Sequence, residues 1–362
     1  MTPLPPPLVV RRARTDPTGA TAPDPSGATL PDLSGATAPA LPGATAPDSS
    51  GATAPDLPGG YDGALGDPEL RAARAALVQG RRQAARSLLL HTGEDWDRRG
   101  HRLTVLAREP YAAAWAFDWL QTEPGSPDAA ALLALARVRR ALRGRENPER
   151  ARAACERAAA LAPADPTPWL GLLRLARTLG PEREVFDVFA EVRRRHPEHH
   201  HAHHLLVARL AERPSGERYE SHEVYDLAEL AAAEAPADSP LAVLPVVALA
   251  ERYRVLAATG LAPADPAASA HWSGPRTHRI LRAGFDWWLE WEHDEHPRRH
   301  VDLNHLAFAL SCAGRPAEAA VLFRRIGAHA TRAPWYYPHR DPWTAFRTAR
   351  AHALAHALAP PS

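Results

Sequence analysis

The sequence contains no lysine; all 43 of its basic residues are arginine. With the excess of alanine and proline, this reads as the codon usage of a GC-rich, bacterial genome, and no function is drawn from it. Cysteine is nearly absent too. Cys155 and Cys312 are too few and too far apart for a disulfide framework, and both fall at small helix positions expected to be inert core. No stretch approaches the roughly 20 apolar residues of a membrane span. The N-terminal MTPLPPPLVVRRAR lacks the apolar centre of a signal peptide, so a cytoplasmic chain is expected. A formal net charge of +1 gives no reason to expect a nucleic-acid or membrane-surface partner. There is no GxSxG, no Walker loop, no GxGxxG after a strand and no pair of catalytic carboxylates. These absences point away from an enzyme and imply no cofactor.

What is present is alanine and leucine, with little isoleucine or phenylalanine, a composition that favours helices. Residues 1–60 stand apart. Gly19, Gly27, Gly35, Gly43 and Gly51 each open a Gly-Ala-Thr triplet of an octapeptide repeat. Proline in each unit and the scarcity of large apolar residues predict a disordered tail, either a spacer or O-glycosylation substrate or a tolerated product of slipped replication. From Tyr61 onward, apolar residues recur at helical spacing between Pro and Gly punctuation. The expected organisation is a helical array over 61–258, an irregular connection over 259–275, and a C-terminal helical subdomain over 276–362.

Pro163 and Pro197 stand 34 residues apart. Between them Trp169, Leu172, Leu173 and Ala176 share one face of a first helix, and Val185, Phe189 and Val192 one face of a second. One period earlier, Leu135, Val138 and Leu142 precede Ala151, Cys155 and Ala158. Next come His203, Leu206, Val207 and Leu210, a turn RPSGERYES about five residues too long, and then Val224, Ala228 and Ala231. A last unit pairs Leu303, Leu306, Ala307 and Leu310 with Ala319, Phe323 and Ile326. This pattern resembles the tetratricopeptide repeat, whose period is 34. The segment SHEVYDLAELAAAEAPADSPLAVL is also similar to an uncharacterised bacterial helical family. The resemblance implies an all-α fold, an α-solenoid of antiparallel helix pairs. Its role would be a non-enzymatic scaffold holding a protein or an acidic peptide in a concave groove.

Carried onto this chain, the groove positions fall at Arg140 and Arg174, and again at Arg143 and Arg177, with Leu133 and Leu170 as apolar anchors. Stacked repeats would align the four guanidiniums for bidentate capture of carboxylates; the plainer alternative is a solvated helical face. In the run from His196 to His204, His199/His203 and His200/His204 are i,i+4 pairs able to chelate an ion. No cysteine or acid is spaced nearby to complete a site, so no metal is expected. The rival function is a metal- or pH-responsive protein using this run, and an unrecognised enzyme is the third reading. A second group, His293, Asp294, His296, His300, Asp302 and His305, lacks HExxH spacing and is explained by helix-end electrostatics. Trp287, Trp288 and Trp291 lie on a helix that is either buried on several sides or an aromatic surface.

Overall fold

The computed structural model describes residues 61–213, 222–290 and 295–358, which belong to one unit. The tail 1–60, residues 214–221 of the long turn, Trp291, His293 and Asp294 lie outside the described residues.

Among the described residues every regular element is helical. In order they are α1 (Pro68–Val78), α2 (Gln83–Thr92), α3 (Trp96–Leu106), α4 (Ala112–Thr122), α5 (Pro127–Ala141), α6 (Pro148–Leu161), α7 (Thr167–Leu179) and α8 (Glu182–Arg195). Then follow α9 (His200–Ala211), α10 (Glu223–Glu234), α11 (Leu244–Ala258), α12 (Pro275–Glu290), α13 (Arg299–Cys312), α14 (Pro316–Ile326) and α15 (Pro342–Leu358). The starts are written locally. Asp67, Ser126 and Asn147 each accept a backbone N–H from the first turn of α1, α5 and α6, and each is followed by proline, whose missing N–H costs nothing there. A 3-10 turn, Pro240–Val243, precedes α11. The reason is Pro245, which has no N–H to bond the carbonyl of Leu241.

Helices pack in sequential pairs, and α3, α5, α7, α9, α11 and α13 also touch one another in turn. Most positions of the 34-residue register are buried, from Leu135, Val138, Ala151 and Cys155 through Leu173, Ala176, Val185, Phe189 and Val192 to Leu303, Leu310 and Phe323. Trp169 is partly buried, beneath the Arg195 guanidinium at 4.5 Å. At Gly171 the absent side chain matters: a Cβ there would stand 3.0 Å from Cys155 Sγ and from Leu135 Cδ2, so an alanine would force these side chains to give by a few tenths of an ångström where α7 packs on α5 and α6.

The connection 259–275 contains two short 3-10 turns and buries Trp272 against Tyr253 and Phe308. On α12, Trp288 is buried, while Trp287 is partly buried and donates to the Ala237 carbonyl at 2.8 Å. Contacts also join elements remote in order. His300 Nδ1 lies 2.8 Å from the Leu65 carbonyl, Arg98 donates to the Glu295 carbonyl at 2.8 Å, and Tyr61 packs edge-on against Trp343. Through these, the region before α1 and the start of α3 meet α13 and α15.

Candidate functional site

The remote contacts converge on the first turns of α3, α9 and α13, where two carboxylates are surrounded by imidazoles. Asp302, in the first turn of α13, is fully buried. His200 Nε2 lies 3.0 Å from its Oδ1 and 2.8 Å from its Oδ2, and His204 Nε2 lies 3.2 Å from Oδ1. His200 and His204 face the same way because they are one turn apart on α9, with ring centroids separated by 4.2 Å. The nitrogens and the carboxylate oxygen lie within 4.8 Å of one another. His296 adds a ring 4.6 Å from His200, and His305 one 5.9 Å from His204.

Asp97, in the first turn of α3, forms the other half. It accepts the His200 backbone N–H at 3.1 Å, which places a carboxylate at the positive N-terminus of α9. Around it stand His196 Nε2 at 3.0 Å, His199 Nδ1 at 3.5 Å and His296 Nε2 at 3.6 Å. Burial works against charge on both acids, yet the neighbouring imidazoles outweigh it and hold both carboxyls well below the usual range. Burial also holds His200 and His201 well below the usual imidazole value, against Asp302 in the case of His200. The set is therefore two carboxylates among imidazoles of different character: His199 and His200 resist a second proton because they are buried, whereas Asp97 raises His196.

Beside this centre lies a concentration of positive charge. Burial and the charges of Arg108, Arg139 and Arg298 lower the Arg174 guanidinium to about 10. Arg298, next to the start of α13, is also lowered to about 10, by burial first and with Arg108 adding, against the pull of Asp302 and Asp97. His101 on α3 is pushed down to about 3 by burial, Arg298 and Arg108. Among the described residues, Arg298 Nε, His101 Nε2 and His201 Nδ1 are buried without a hydrogen-bond partner.

The residues singled out in the sequence divide accordingly. Arg140 is exposed and spans to Glu146 at 3.6 Å and the Arg145 carbonyl at 3.2 Å. Arg177 pairs with Glu212 at 2.7 Å. Arg143 is partly buried near the end of α5, and Arg174 sits in the group just described. Leu133 and Leu170 are core residues, which moves them from the groove to the interior. His199 and His203 do not converge as a pair: His203 Nδ1 bonds the His199 carbonyl and its ring packs edge-on against Phe189. His200 and His204 do converge, and the acid that local spacing lacks comes from α13. Of the second group read in the sequence, His296, Asp302 and His305 meet the histidines of the first in one centre, whereas His300 turns to the Leu65 carbonyl. Asp97, His101, Arg108, Arg139 and Arg298 escaped sequence reading. For Asp97 the one local signal is an acid in the first turn of a helix, which normally needs no further account. Cys155 is buried, its thiol pushed up to about 12 by burial, as an inert core thiol should be. No protein-family model matches this sequence, and no curated protein matches it.

Proposed function

We propose that this chain is a non-enzymatic, cytoplasmic binding protein, built as a solenoid of degenerate tetratricopeptide-like pairs, that holds the acidic group of a peptide or protein partner. The observation that carries this reading is the set Arg174, Arg298, His101 and His201. The charges of Arg174 and Arg298 oppose one another, Arg298 helps to hold the two imidazoles below their usual values, and three buried nitrogens of the set lack a hydrogen-bond partner. Like charges gathered in a partly desolvated place are unfavourable alone, and an anion placed among them would relieve the repulsion. The arginines of the expected ladder thus separate. Arg140 and Arg177 have glutamates of their own, whereas Arg174 remains, joined by Arg298 from the far end of the chain.

The test uses the full chain against an array of acidic peptides. Bound sequences should release as salt is raised. They should lose at least tenfold in affinity when Arg174→Gln and Arg298→Gln are combined, with the helical circular-dichroism spectrum retained. Unchanged affinity in that double variant would remove the basis of the proposal.

A further inference from the structure

We infer that His200, His204 and Asp302 bind one divalent first-row transition ion. The evidence is geometric. Two ligands each about 2.1 Å from one ion stand roughly 3.0–3.4 Å apart for angles between 90° and 110°. Asp302 Oδ1 is 3.0 Å from His200 Nε2 and 3.2 Å from His204 Nε2, which matches that spacing. Both histidines present the same nitrogen, from successive turns of one helix, to an acid from another helix. Burial supplies the second argument. Asp302 and His200 are each 0 % exposed, and among the described residues no arginine makes an ion pair with Asp302. A carboxylate sealed from water needs a compensating positive charge in contact with it. A dication at the common point of the three groups supplies it.

The donor set is two imidazole nitrogens and one carboxylate, which suits zinc, cobalt or ferrous iron over calcium or magnesium. Three protein ligands also leave a position for an exogenous oxygen. None of its three ligands belongs to the arginine group, which Asp302 reaches only through its charge on Arg298.

The test uses the full chain purified without a polyhistidine tag, exposed to Zn²⁺ or Co²⁺ and desalted. Elemental analysis should find one ion per chain, and Co²⁺ should show the visible absorption of a nitrogen- and oxygen-ligated site. His204→Gln and Asp302→Asn should each abolish retention. The exposed i,i+4 pair on α15, removed as His352→Ala with His356→Ala, should leave it intact. Absence of a retained ion, retention that survives both ligand variants, or retention lost with the α15 pair would each overturn the assignment, the last by showing adventitious surface chelation. Should the ligand variants not fold, the wild type decides. A hundredfold excess of Zn²⁺ over Kd should raise its thermal midpoint by about 5 °C, reversibly with chelator, and equally in the α15 variant. No rise would overturn the inference.

Discussion

Glu251, buried on α11, is held by two different donors: the Tyr337 hydroxyl at 2.6 Å on one oxygen and Arg254 Nε at 2.8 Å on the other. Burial alone would raise its pKa. The charges of Arg254 and Arg177 and the Tyr337 hydrogen bond outweigh burial and bring it to about 2, from an ordinary 4.5. A carboxyl depressed on folding contributes stability that is complete above its unfolded pKa and is lost as the pH falls toward the folded value. Wild type should therefore lose about 3 kcal/mol between pH 5 and pH 2 on account of this one group. Glu251→Gln should lose a similar amount at pH 7, the lower end of the cost of orphaning one partner of a buried pair, because Glu212 still holds Arg254 at 2.8 Å. Urea titrations of both proteins across that range check this, and parallel pH profiles would refute it. Little of it is legible in the sequence. Glu251 and Arg254 are visible as neighbours on a helix, but Tyr337 lies 86 positions away. The metal-compatible triad has the same character: the His200/His204 spacing can be read directly, whereas Asp302 is 102 positions from His200. Spacing reveals which side chains share a helix face and nothing of what the fold brings to meet them.

At the scale of the element, the sequence is far more informative, because the period of a helix is a local property. The register of α5 to α9 follows from pattern alone, and burial follows that register. The exceptions have causes beyond the pattern's reach. Pro245 delays α11 by one turn, and 259–275 gains its order from Trp272, whose core partners lie on α11 and α13. The register makes Phe189 on α8 a knob of its own pair, and the structure adds that its ring meets His203 on α9 at 5.1 Å. Phe189 is 8 % exposed, so Phe189→Ala removes a buried ring from between two successive pairs. The expected cost is about 3–5 kcal/mol, read from chemical denaturation. A cost below about 1 kcal/mol would mean that the α8–α9 seam is not packed as described.

For the molecule as a whole, the decisive contacts are those between remote elements. In an array whose repeats touch only their neighbours, stability is a sum of repeat and interface terms, and the ends can fray separately. Here Leu65 meets His300, Arg98 meets the Glu295 carbonyl, Tyr61 meets Trp343, and Asp97 of α3 accepts from the backbone of α9. Loss of α13 would strand the imidazoles of α9 beside an empty space, and loss of α3 would uncap α9. Each end is therefore needed for the middle. The expectation is a single cooperative unfolding transition, since coupling between ends makes partly unfolded states costly. Tryptophans report on both ends, with Trp115 and Trp119 on α4 and Trp335 and Trp343 near the C-terminus. Fluorescence and helical circular dichroism should thus follow one denaturation curve. His300→Ala, which cuts the link between α13 and the Leu65 carbonyl, should shift both curves together to lower denaturant. Two separated transitions, or a shift confined to fluorescence, would show that the ends unfold on their own and that the remote contacts do not couple them.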